Sequence, residues 1–105
     1  MAKKKVAKRK ATKISEAVIK DIVENDKVRV VEVTWKPGSE SASMALPARV
    51  TRGLKGGVLT RTFTDGKKEK VKFKLGEVKY ADPTPEATLK NTSKKTVVLY
   101  SVFLK

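Results

Sequence analysis

Asp82 and Glu86 bracket the stretch Pro83-Thr84-Pro85, and they are the nearest this chain comes to a pair of acid–base groups. Two carboxylates can share proton transfer when one is held protonated and the other ionised. Nothing in their spacing singles these two out, and both also read as solvated loop residues. The chain has no histidine, so the side chain that most often serves as a base near neutral pH is missing. It has no cysteine either, which removes thiolate nucleophiles, zinc–thiolate sites and disulfides. Gly53-Leu54-Lys55-Gly56-Gly57 lacks the Gly-Lys-Ser/Thr ending of a phosphate-binding loop and reads as a turn. Asn91-Thr92-Ser93 matches a glycosylation acceptor and also reads as a turn.

Charge is the other source of chemistry. The chain of 105 residues carries 25 Lys and Arg against 11 Asp and Glu, a net +14. Seven of the cations (Lys3, Lys4, Lys5, Lys8, Arg9, Lys10 and Lys13) lie in residues 1–13 with no acid among them, leaving the rest at +7. Such a segment repels itself and has little apolar surface to offset the entropy of ordering, so residues 1–13 are expected to form a disordered basic tail. Its lysines are candidate contacts for nucleic acid, through weak, salt-sensitive and sequence-blind neutralisation of phosphates. The tail has no aromatic side chain on which bases would stack. No apolar run approaches a membrane span, and the opening residues lack the apolar centre of a secretion signal. With the missing cysteines, this points to the cytoplasm.

Residues 14–105 form one expected domain, and its pattern is β. Residues 14–24, ISEAVIKDIVE, place Ile14, Val18 and Ile22 four apart as on a helix, but their Ile and Val content favours a strand. KVRVVEVTW (27–35) is a β-branched strand stopped by Pro37-Gly38. ARVTRGL (48–54) and VLTRTFT (58–64) flank Lys55-Gly56-Gly57, which predicts a hairpin. Asp65-Gly66 predicts a second hairpin into EKVKFKL (69–75). There Val71, Phe73 and Leu75 face inward and Lys70, Lys72 and Lys74 outward. Asp82 to Pro85 reads as a stiff loop, and TVVLYSVFL (96–104) as a strand covered on both faces. Seven or eight short strands predict a sandwich or barrel.

From Asn25 to Leu104 the order of these signals resembles the small single-domain cupins. The resemblance is carried by ENDKVRVVEVTWKPG, LPARV, LKGG, FTDGKKEKV, LGEVKYAD and LKNTSKKTVVLYSVFL. It implies an all-β jelly-roll barrel of two antiparallel sheets. Cupins commonly hold a metal through a His-x-His pair, a further ligand downstream and a histidine after the proline-rich loop. The resemblance puts Met44 and Leu46 on the His-x-His positions, Arg49 near the further ligand, and Ala87 on the last histidine, or Glu86 if the loop shifts by one. Methionine and leucine cannot replace imidazole for a divalent ion, and a lone thioether suits only Cu(I). No metal and no other cofactor are therefore expected. Met44 and Leu46 either pack the core at the barrel mouth or line an apolar ligand pocket with Trp35, Tyr80 and Arg49.

The expected function is a non-catalytic, cupin-like binding or structural protein without the usual metal site. The alternative is a small basic nucleic-acid-associated protein working through its tail. A metal-independent enzyme is the least supported of the three, given the missing histidines. A homodimer is expected, because the last strand has apolar rows on both faces that a small body cannot cover alone.

Overall fold

The computed structural model describes residues 16–105. The basic segment 1–13 lies outside them. The described chain contains nine strands: β1 (Val18–Glu24), β2 (Val28–Trp35), β3 (Met44–Leu46), β4 (Arg49–Lys55), β5 (Gly57–Phe63), β6 (Lys68–Phe73), β7 (Val78–Ala81), β8 (Thr84–Asn91) and β9 (Val97–Leu104). They form a five-stranded sheet in the order β1-β2-β9-β4-β7 and a four-stranded sheet in the order β3-β8-β5-β6. All the pairings are antiparallel.

Residues 18–24 are a strand, as their β-branched content favours, and β1 pairs with β2 across a bulge near Ile22. The Asp65-Gly66 turn joins β5 to β6: Gly66 has φ 90°, and the Asp65 carboxylate accepts a 2.9 Å hydrogen bond from the Lys67 amide. Glycine takes that left-handed conformation without steric cost.

Three expectations need correction. Lys55-Gly56-Gly57 is not a hairpin turn, because β4 and β5 belong to different sheets and the chain crosses between them there. Glycines fit a crossing as well as a turn: a Cβ on Gly53 would lie 2.6 Å from the Lys74 carbonyl oxygen, and one on Gly56 2.7 Å from that of Phe73. Leu75 does not face inward. β6 ends at Phe73, and Leu75 is 77% exposed in the turn that follows. Thr84 onward is no loop but an eight-residue strand that pairs with both β3 and β5.

The segment after Pro37-Gly38 also pairs. Ser39 and Asn91 exchange backbone bonds through their neighbours (Gly38 N–H to Asn91 O, Asn91 N–H to Ser39 O), and the Ser41 amide donates to the Leu89 carbonyl. The Trp35 indole donates to that same carbonyl at 3.2 Å, so β2 is tied to the opposite sheet. Burying an indole N–H without such a partner would be unfavourable.

Between the sheets, Val31, Val33, Trp35, Leu59, Phe73, Val97 and Leu99 form the buried core. The register orders the inner face of the five-stranded sheet into rows. Trp35 pairs with Val97, then Val33 with Leu99, then Val31 with Ser101 and Thr51, and finally Arg29 with Phe103 and Arg49. One end of the barrel is therefore closed by hydrocarbon. The other end carries hydroxyls and guanidinium groups.

Candidate functional site

The polar end is where the residues singled out above gather. β3 brings Met44 opposite Ala87 of β8 and Leu46 opposite Thr84. Ala87 in turn faces Phe63 of β5. Met44, Leu46, Arg49, Ala87 and Trp35 all line one cavity of about 120 Å³ between the sheets. Its walls are mainly hydrocarbon, from Val31, Leu59, Val71, Leu89 and Phe103 among others. The barrel interior is thus neither fully packed nor wide open. Met44 stands at its rim, partly exposed, while Ala87 is buried.

Two of the named residues do not reach this space. Glu86 faces away from it and accepts a 2.9 Å hydrogen bond from the Ser43 hydroxyl. In β8 the side chains alternate, so Ala87 inside requires Glu86 outside. Tyr80 is 60% exposed and borders only an outer hollow of about 420 Å³. Arg49, Arg61, Thr84 and Pro85 line both spaces and form the boundary between them. Asp82 borders the outer hollow while Glu86 does not, so the two carboxylates do not converge on one space.

Arg49 is the most unusual residue here. It is only 6% exposed. Its Nη1 donates to the Pro47 carbonyl (3.2 Å), the Asp82 carbonyl (3.3 Å) and the Thr84 hydroxyl (3.1 Å). Burial, and secondarily the charge of Arg61, pushes its pKa below the usual arginine value. Arg29 and Arg61 also line the inner cavity, but each is paired with a carboxylate, Asp21 and Glu69 respectively. Next to Arg49, Thr51 and Ser101 share a buried hydroxyl–hydroxyl bond of 2.9 Å.

The fold raises the question of a metal, and the donor set answers it. The inward positions hold a thioether, a leucine and an alanine. Among the described residues no group of three His, Cys, Asp or Glu side chains converges. These residues do not fit a divalent ion.

Sequence reading did not foresee Asn91, which is fully buried. Its amide donates to the carbonyls of Trp35 (2.9 Å) and Lys95 (2.7 Å). Its oxygen accepts from the Ser93 amide (2.9 Å) and hydroxyl (2.7 Å). All four of its hydrogen-bonding positions are used. In this fold it is a structural clasp, inaccessible to a glycan.

Two antiparallel sheets with this connectivity make the molecule a cupin-like jelly roll, a double-stranded β-helix. Solved structures of that class superpose on most of it. A cupin domain from Bordetella pertussis matches with a TM-score of 0.81 at 20% identity, covering 90% of this chain and 99% of that one. An RmlC-like cupin family protein from Methanocaldococcus jannaschii matches with a TM-score of 0.65 at 16% identity, covering 90% and 84%. A protein with a double-stranded β-helix domain from Klebsiella pneumoniae matches with a TM-score of 0.65 at 20% identity, covering 90% and 81%. No family model matches the sequence, and no curated protein is significantly similar to it.

Proposed function

We propose that this protein is a non-catalytic, cupin-like binding module that holds a small, largely apolar molecule inside its barrel rather than a metal. One observation carries the reading: an apolar cavity of about 120 Å³ stands where Met44, Leu46 and Ala87 converge. An apolar cavity with a few polar groups at one end is the usual form of a small-molecule site. In this reading Met44, Leu46 and Ala87 are the remains of a metal site rebuilt in hydrocarbon, and the protein works in the cytoplasm as a homodimer.

A row on the outer face of the five-stranded sheet favours the dimer. Val23, Val30, Val102, Val50 and Tyr80 stand side by side across all five strands. Val23 and Tyr80 are exposed at its two ends. An isologous contact would bury this stripe twice. The outer face of the other sheet differs, with Lys68, Lys70 and Lys90 set among Thr60, Thr62 and Thr88. That basic face, together with the tail, is the support for the second reading, a loose association with nucleic acid.

The test of the first reading uses Trp35, the chain's sole tryptophan, which lines the cavity. Titration with benzyl alcohol is expected to change its fluorescence saturably, and the purified protein is expected to carry no stoichiometric metal. A non-saturating response, or one metal per chain retained through dialysis, overturns the reading.

A further inference from the structure

We infer that Arg49 is the anchor of an anion site, and that the molecule the barrel takes is a small carboxylate whose hydrocarbon part enters the inner cavity. The inference deepens the binding-module reading and rests on it. Its basis is the guanidinium's unused hydrogen-bonding capacity. Only Nη1 is engaged, by two carbonyls and a hydroxyl. Nε and Nη2 carry three N–H groups with no acceptor among the described residues. These are the two nitrogens that form one edge of the guanidinium fork, which matches a carboxylate bidentately.

No carboxylate of the chain supplies the partner. All 11 acids lie in residues 16–105, and the undescribed residues 1–15 contain none. The described ion pairs engage Asp21, Glu24, Glu69 and Glu77, with none on Arg49. Of the two acids that line the outer hollow, Glu69 pairs with Arg61, and Asp82 meets Arg49 through its backbone carbonyl and not in an ion pair. A buried charge without a counter-ion is costly. An arriving anion would relieve that cost, and desolvation at the site would strengthen the attraction.

Position gives the rest of the ligand. Arg49 lies on the boundary between the inner cavity and the outer hollow. Arg61 and Lys79 also line the hollow, against Glu69 and Asp82, so the hollow is net cationic. A head group held at Arg49 directs its tail toward Leu59, Val31 and Leu89. An apolar cavity of about 150 Å³ accepts benzene, so a space of about 120 Å³ suits a tail of some five or six carbons.

The experiment compares benzoate with benzyl alcohol, an uncharged molecule of nearly the same shape, on the full-length protein and on Arg49→Met and Arg49→Lys. Benzoate is expected to bind the wild type at least tenfold more tightly than benzyl alcohol. Arg49→Met should remove that preference, and Arg49→Lys should restore part of it. In the wild type the Arg49 Nε–H resonance should shift with benzoate and not with benzyl alcohol, which tests the contact even if Arg49→Met fails to fold. Equal binding of the two probes with an unmoved Arg49 resonance overturns the carboxylate site and leaves the apolar cavity standing. Binding of neither probe, with the Arg49 resonance also unmoved by acetate, overturns both readings. A shift of the Arg49 resonance by acetate while benzyl alcohol does not bind supports the anion site and overturns the apolar pocket.

Discussion

Single side chains at the ends of this barrel hold it shut. Asn91 joins the end of β8 to Trp35 on the opposite sheet and to the loop before β9. Asn91→Ala would take the side-chain partner from the Trp35 carbonyl and the Ser93 amide, while the Lys95 carbonyl keeps the Ser93 hydroxyl. It is expected to destabilise the fold by about 2–4 kcal/mol, read as a lowered urea midpoint. Asn91→Asp should do no better, since a carboxylate cannot donate to the two carbonyls. None of this was legible from Asn91-Thr92-Ser93. A sequence shows a polar residue in a turn-like setting, but its burial depends on Trp35 lying more than fifty positions away. Met44 and Leu46 were legible as an apolar pair flanked by polar turns, and the resemblance to small cupins added Ala87, or Glu86 with a shift of one. Arg49 was legible only as a neighbour of that group. Its burial follows from the pairing of β4 with β7 and β9, which no local pattern encodes.

At the level of elements, period-two alternation located strands well and their limits less well. Val71 and Phe73 do face inward, but the alternation continues in letters beyond the point where β6 stops. Lys74, Leu75 and Gly76 belong to a turn that docks on Gly53, whose carbonyl accepts the Gly76 amide at 2.7 Å. Phe73→Ala is therefore expected to cost about 3–5 kcal/mol, while Leu75→Ala stays within about 0.5 kcal/mol. Thermal or urea unfolding of the two variants checks the contrast, and similar losses would place Leu75 in the core after all. The crossing at Gly56-Gly57 was misread for a physical reason. A tight hairpin and a tight passage between sheets both require small residues, and only the partners of β4 and β5 tell them apart. β8 was hidden by its two prolines. Pro83 lies just before the strand and Pro85 near its start, where a missing N–H disturbs little of the ladder.

For the whole molecule, the two sheet faces predict opposite responses to salt. A dimer formed on the Val23–Tyr80 stripe brings together two bodies of net +7, so screening should strengthen it. Association with duplex DNA should weaken as salt rises. Light scattering and DNA titration across one salt series test both. Val23→Lys with Tyr80→Lys should yield a monomer, and deletion of residues 2–13 should leave the melting temperature nearly unchanged while sharply lowering DNA affinity. A monomer at tens of micromolar in low and high salt, or tight DNA binding by the truncated protein, would sink these expectations. The strand order has one more consequence, and it concerns time. β9, the last strand in sequence, lies at the centre of the five-stranded sheet, between β2 and β4. While a ribosome is still making the chain, the four-stranded sheet has all its members once Asn91 has emerged. The larger sheet is then only two unjoined pairs, β1 with β2 and β4 with β7. The inner row of Val31 and Val33 then has β1 on one side and nothing on the other until residues 97–104 arrive, so the nascent protein passes through a stage in which its future core is open to aggregation or to a chaperone.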